Sequence, residues 1–293
     1  MSAAGAITVR LGPAGAQVEA GALANPAALL VGRPVQDAPA ILRRLYTVCP
    51  EAQGFAAALA LGQGGERAPV WAEIMREHGL RIALDWPRIA GEAPDVAAAR
   101  RCVAGEAGGW LAEALFAMPA GRWLATITDA AALQGWAGAG ATGAARTLAA
   151  ALGWRWPPFA APLARRHQDQ PLVRASAGLG WAVQALAARL VDCALLLGGR
   201  GDAGSLATGP DGTVRARVAC ARGVLEHRAR VEGGRIAAYA IATPTEALFA
   251  PGGSAAALLA PITCRRRLDC ALVALDPCHG VTITAQDREQ ADA

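Results

Sequence analysis

The chain has 293 residues, 54% hydrophobic and 18% charged, with 28 basic against 24 acidic residues and a formal net charge of +4. That content excludes an intrinsically disordered chain, which would be poor in apolar residues, and it supplies one large domain or two small ones. Every basic residue is arginine, and the short clusters Arg165-Arg166 and Arg265-Arg266-Arg267 have no interleaved aromatics for base stacking, so no nucleic-acid partner is expected.

In chain order, Ile7-Thr8-Val9-Arg10-Leu11 and Ala16-Gln17-Val18-Glu19 read as short strands around a Gly12-Pro13-Ala14-Gly15 turn. Residues 38–90 read as mainly helical, with the stretch 68–84 stopped by Trp86-Pro87. Another helical stretch covers 94–117. A Gly/Ala-rich joint is expected at 135–143, then a helix at 143–152 and a break at Trp154-Arg155-Trp156-Pro157-Pro158. The segment 179–197 is apolar on almost all sides, with Arg189 and Asp192 as its only charges, and reads as a buried helix. A loop at 198–212 follows. Strands are predicted at 214–218, 224–231 and 235–242, the last two joined by Glu232-Gly233-Gly234. A helix near 265–274 precedes Leu275-Asp276-Pro277-Cys278. The pattern predicts one α+β domain over 1–293, a mostly helical body with small β elements contributed by both chain ends.

Seven cysteines occur, at 49, 102, 193, 220, 264, 270 and 278, with no CxxC. The odd number and the lack of a secretory signal at Met1-Ser2-Ala3-Ala4-Gly5 disfavour a disulfide framework and predict a reducing, cytoplasmic location. The best apolar run, 178–197, is interrupted by Gln184, Arg189 and Asp192, so no membrane span is expected.

Gly138-Ala139-Gly140-Ala141-Thr142-Gly143 matches GxGxxG. That fingerprint needs a strand before it, and residues 130–136 are not strand-like, so no nucleotide site is assigned. Cys264, Cys270, Cys278 and His279 lack the close ligand pairs of structural zinc sites. Cys102, Cys193, Cys220, Cys264 and Cys270 read as small core hydrophobes, and His279 as solvent-facing. Cys49 precedes a helix and Cys278 follows the last one. A thiolate near a helix N-terminus would be stabilised by unpaired N–H groups, although for each a structural role is the commoner reading.

Gly32-Arg33-Pro34-Val35-Gln36-Asp37-Ala38-Pro39 running into Arg44-Leu45-Tyr46-Thr47-Val48-Cys49-Pro50 resembles the first metal-binding segment of [NiFe]-hydrogenase large subunits. Leu275-Asp276-Pro277-Cys278 resembles that family's terminal D-P-C-x-x-C-x-x-H. Between them, Ala221-Arg222-Gly223, Val231-Glu232-Gly233-Gly234-Arg235-Ile236 and Thr243-Pro244-Thr245 follow the P-R-G, I-E-x-G-x-I and V-P-T stretches in order. The similarity covers residues 6–90 and 214–279. Against the family pattern, Tyr46 and Val281 stand where cysteines belong, Gln53 and Thr284 where histidines belong, and Gly12 where an early glutamate belongs. Two thiolates remain of four, too few for the soft nickel site, so no catalysis and no nickel are expected.

One retained cysteine per motif is similar to the HupK/HoxV type of hydrogenase expression/formation protein, a degenerate large-subunit relative. That resemblance implies a shortened large-subunit-like fold and a scaffold or carrier for the Fe(CN)2CO fragment before its transfer to the immature large subunit. By it Cys49 and Cys278 would ligate iron, Arg222 and Thr245 would contact the cyanides, and Asp276 would sit beside the site and pair with Arg222. Implied partners are maturation chaperones of the HypC/HypD kind and the precursor large subunit. Three alternatives stay open: a metal-free docking module, a truncated hydrogen-activating enzyme, and a structural zinc protein.

Overall fold

The computed structural model describes residues 7–21, 26–202 and 204–285. Strands β1 (Ile7–Gly12) and β2 (Gly15–Ala20) pair antiparallel around the two-residue loop Pro13-Ala14. Gly15 has φ 127°, and a Cβ there would stand 1.8 Å from the Ala260 carbonyl oxygen. This turn therefore accepts only glycine where it presses on the helical body.

The helical body comprises α1 (Ala38–Leu45), α2 (Pro50–Ala60), α3 (Ala68–Leu84), α4 (Trp86–Ala90), α5 (Val96–Val103), α6 (Ala107–Ala114), α7 (Ala120–Thr126), α8 (Ala130–Ala139), α9 (Gly143–Leu152), α10 (Pro162–Arg166), α11 (Pro171–Ala175) and α12 (Trp181–Leu197). The stretch read as 94–117 is two helices, parted at Gly105, whose φ is 89°. The joint expected at 135–143 is helical up to Ala139, which confines the break to residues 140–142. The Asp129 carboxylate caps α8 by accepting from the Ala132 N–H, and Leu133 and Trp136 bury on the core. Together these override the low helix propensity of Gly135 and Gly138. The GxGxxG string thus spans the end of one helix and the start of the next, with no strand before it.

Helix α12 is buried at every residue from 181 to 194 and packs against α3, α7, α9, α10, α11 and α15. Trp123 and Trp136 meet edge to face at 5.5 Å, as do Trp156 and Trp181 at 5.4 Å.

Strands β3 (Ser205–Thr208), β4 (Val214–Cys220), β5 (Gly223–Glu232) and β6 (Arg235–Ala242) form an antiparallel sheet in that order. β3 lies inside the segment predicted as loop. The chain closes through α13 (Pro244–Phe249), α14 (Ser254–Leu259), α15 (Arg265–Leu275) and β7 (Val281–Ala285). β7 pairs parallel with β1, giving a second sheet ordered β2-β1-β7 that joins distant parts of the chain. β7, Val281-Thr282-Ile283-Thr284-Ala285, has the alternating β-branched pattern of a strand, and what the local sequence does not name is its partner at the far end of the chain. Small residues on α2, chiefly Ala52, Ala56 and Ala57, let the four-stranded sheet approach that helix closely. Among the described residues no helix is long and apolar enough to cross a membrane.

Candidate metal centre

The β4–β5 hairpin turns through Ala221-Arg222, with Cys220 opposite Gly223. Gly223 has φ 138°, and a Cβ there would press on the Pro162 backbone at 3.0 Å, so the hairpin tip is driven into the helical body. That is why a turn arginine is buried: Arg222 is only 5% exposed. Its Nη1 donates to the Cys49 sulfur at 3.2 Å, and its Nη2 donates to Glu77 at 3.2 Å and lies 3.6 Å from Asp276. Its Nε is buried with no acceptor.

Cys49 is buried at the head of α2 with φ 58° and ψ 39°. It does not use the helix N-terminus as the sequence suggested, because the Glu73 carboxylate accepts from the Glu51 and Ala52 N–H groups at 2.7 and 3.1 Å. Cys220, read as a plain core residue, is hydrogen-bonded to Cys49. That bond and burial push the Cys49 thiol up, while the same bond pulls Cys220 down.

At the other wall, Asp276 ends α15 with φ 46° and is 2% exposed. Burial pushes its carboxyl up, but Arg222, Arg189 and Arg81 outweigh that and hold it well below the usual carboxylate range. Arg81 and Arg189 each reach it at 2.8 Å. Arg222 is its more distant partner, so the pairing expected from the resemblance exists but is shared. Two residues on, Cys278 is half-buried and its N–H donates to the Thr245 hydroxyl at 3.0 Å. Burial raises the Cys278 thiol, and the Thr245 hydrogen bond partly offsets the rise. The α13 capping box, in which Thr243 and Glu246 bond reciprocally, holds Thr245 in the first turn of that helix.

The fold thus brings Cys49, Arg222, Asp276, Thr245 and Cys278, from the head of α2, a hairpin tip and two helix ends, into one cluster around Arg222. Tyr46 lies near the same cluster, since Glu246 and Cys278 add to burial in raising its phenol. His279, expected to face solvent, is half-buried with Nδ1 3.3 Å from the Cys278 sulfur. Cys264, expected to be core, is exposed as the N-cap residue of α15, while Cys270, Cys102 and Cys193 are buried as expected. Sequence reasoning missed Cys220, Glu77, Arg81 and Arg189. Glu77 and Arg81 do share one face of α3 at i, i+4 spacing, but nothing in that pattern names their partners 145 residues or more away. Gln53 is also buried. Its side-chain oxygen accepts from the His227 ring at 2.8 Å, and Tyr239 lies 2.8 Å from the other ring nitrogen, a satisfied structural network.

No family model matches the chain. It is 35% identical over 275 residues, 88% of either chain, to the hydrogenase expression/formation protein HupK of Rhodobacter capsulatus. The chain belongs to the HupK family of hydrogenase expression/formation proteins. A shorter match, 46% over 68 residues and 20% of this chain, is to the hydrogenase expression/formation protein HoxV of Cupriavidus necator and spans 18% of that protein. Among solved structures, the HupK-family chain is similar to a Ni-Fe-Se hydrogenase from D. vulgaris Hildenborough (TM-score 0.56, 14% identity, 90% of this chain and 93% of that one). It is also similar to an NAD+-reducing [NiFe]-hydrogenase (TM-score 0.53, 16% identity, 90% and 92%). The fold is therefore that of the [NiFe]-hydrogenase large subunit, and the HupK family gives the chain a role in hydrogenase maturation.

Proposed function

We propose that this HupK-family protein serves maturation as a cytoplasmic, non-catalytic carrier of the Fe(CN)2CO fragment, which it hands to the immature large subunit before nickel insertion. The observation that carries the reading is the Arg222 guanidinium, donating to the Cys49 sulfur while its buried Nε has no acceptor. A cyanide nitrogen is an acceptor of the kind that donor lacks, and bonds from a guanidinium to such a group are comparatively strong. The donor set agrees. Among the described residues no three His, Cys, Asp or Glu side chains are arranged to hold a bare metal ion. A cargo that arrives with three diatomic ligands needs fewer protein donors. Cys49 and Cys278 would supply thiolates, Arg222 and Thr245 would face the cyanides, and Asp276 would hold Arg222 in place.

The chaperones expected as partners are of the HypC/HypD kind, with the precursor large subunit as acceptor. The competing reading is a metal-free docking module that keeps the fold for its surface, favoured by the loss of half the thiolates. Infrared spectra of protein isolated from cells making all maturation factors separate the two. Iron-bound cyanide and carbonyl bands are expected, absent from Cys49→Ser and Cys278→Ser. A wild-type protein without those bands, together with unimpaired maturation in both variants, overturns the carrier.

A further inference from the structure

A cleft of about 430 Å³ opens between α10 and the β4–β6 sheet, lined by Arg165, Arg166, Arg217, Glu226, Thr243 and Pro244 among others. Arg166 is 4% exposed at its side chain and is anchored by Asp192 at 2.7 and 3.0 Å. Arg165 is held over the Phe159 ring at 5.8 Å and donates to the Ala160 carbonyl, and no described carboxylate pairs with it.

The cleft continues onto the outward face of the sheet. Register places Arg217 opposite Glu226 and Arg215 opposite Arg228, with Ala242 and Ala240 beside Glu226 and Arg228 on β6. Glu226 is thus one carboxylate shared among Arg215, Arg217 and Arg228, leaving the face with excess positive charge. The exposed alanines of β6 form a low floor along that row of guanidinium groups. Tyr239, the one aromatic of β6, points to the opposite face, where it meets His227.

We propose that this cleft and the sheet face leading from it bind an acidic, extended polypeptide segment of a partner protein. Its carboxylates would pair with Arg165, Arg217, Arg215 and Arg228, and its backbone would lie on the alanine floor. A nucleic acid fits less well, because the face offers no ring for stacking. The seat adjoins the cysteine cluster. Thr243 and Pro244 immediately precede Thr245, and Arg166 donates to the Cys220 carbonyl at 3.0 Å. The inference rests on the maturation reading only in requiring a protein partner, and it needs no iron.

The test is fluorescence anisotropy of a fluorescein-labelled hexaglutamate peptide with the full chain. Saturable binding is expected, weakened about tenfold by Arg165→Glu with Arg217→Glu and about threefold by Arg217→Gln alone. An Arg100→Glu, Arg122→Glu control carries the same change in net charge at exposed sites elsewhere and leaves binding within about twofold of wild type. No saturable binding, equal weakening by the control, or displacement of the peptide by a single-stranded oligonucleotide at lower concentration than unlabelled hexaglutamate overturns the proposal. The infrared bands do not depend on these arginines, so failure here and failure of the iron reading give different results.

Discussion

Cys49 and Asp276 share an uncommon backbone state, φ 58° and 46°, that side chains with a Cβ seldom adopt. Among the described residues the one other case is Ala117. Strain of this kind costs of order 1–3 kcal/mol per residue and persists where surrounding structure over-determines it. At Asp276 the determinant is three arginines, Arg189 and Arg222 buried and Arg81 partly exposed. Asp276→Asn removes the charge they converge on; Arg222 keeps Glu77 and Arg81 keeps Asp85, but leaving the buried Arg189 unpaired is expected to cost about 3–5 kcal/mol. Urea unfolding of the variant at pH 7 checks that loss. A change below about 1 kcal/mol, the scale of an exposed pair, would show that the cluster is held by something other than charge. Of this site, Cys49, Arg222, Thr245, Asp276 and Cys278 were legible through short motifs in the right order. Glu77, Arg81, Arg189 and Cys220 were not, because each lies in an ordinary helix or strand and gains its meaning from a partner far along the chain.

Among the elements, the junction of α2 and α3 is the one tuned by a titrating group. Glu73, on α3, caps α2 while 5% exposed, and burial pushes its carboxyl up to about 7. Its folded value lies above the unfolded one, so the stabilisation is fully present below about pH 4.5 and is lost as pH rises through about 7. Relative to Glu73→Gln, wild type should therefore lose up to about 3 kcal/mol between pH 5 and pH 8, measured as the difference between their urea unfolding free energies. A pH-independent difference would mean that Glu73 is ionised throughout. The same scale shows how local signals succeed and fail. The positive-φ pair Gly233 and Gly234 announces the β5–β6 hairpin, whereas α8 forms through its Asp129 cap and buried Trp136 despite two glycines.

For the whole molecule, acid is the expected weakness. His227 is fully buried, and desolvation lowers it to about 3, so the unfolded chain binds the extra proton as pH falls from 6.5 towards 3. Burial lowers His78 as well, and its partner Asp192 is held well below the usual carboxylate range. Burial acts against that direction at Asp192, but Arg166 and the two histidines outweigh it. The folded values of Asp192 and Asp276 lie below the unfolded ones, so their contribution is present above about pH 4 and lost below it. In the Glu73→Gln variant, which lacks the opposing gain from Glu73 as pH falls, thermal unfolding should show a midpoint falling from pH 6.5 to pH 4 and falling more steeply below. A flat profile across that range would contradict the burial of these groups.

The amino-acid sequence by itself determined strands β1, β2, β4, β5 and β6, the helix break at 154–158, the buried character of α12 and the two motif ends, since periodicity, turn chemistry and motif order are local properties of a chain. Only the tertiary structure decided that Cys220 bonds Cys49, that Arg222 is held by Glu77 and Asp276, and that β7 pairs with β1. Burial and ion pairing depend on which distant segments meet, and no local pattern encodes that meeting.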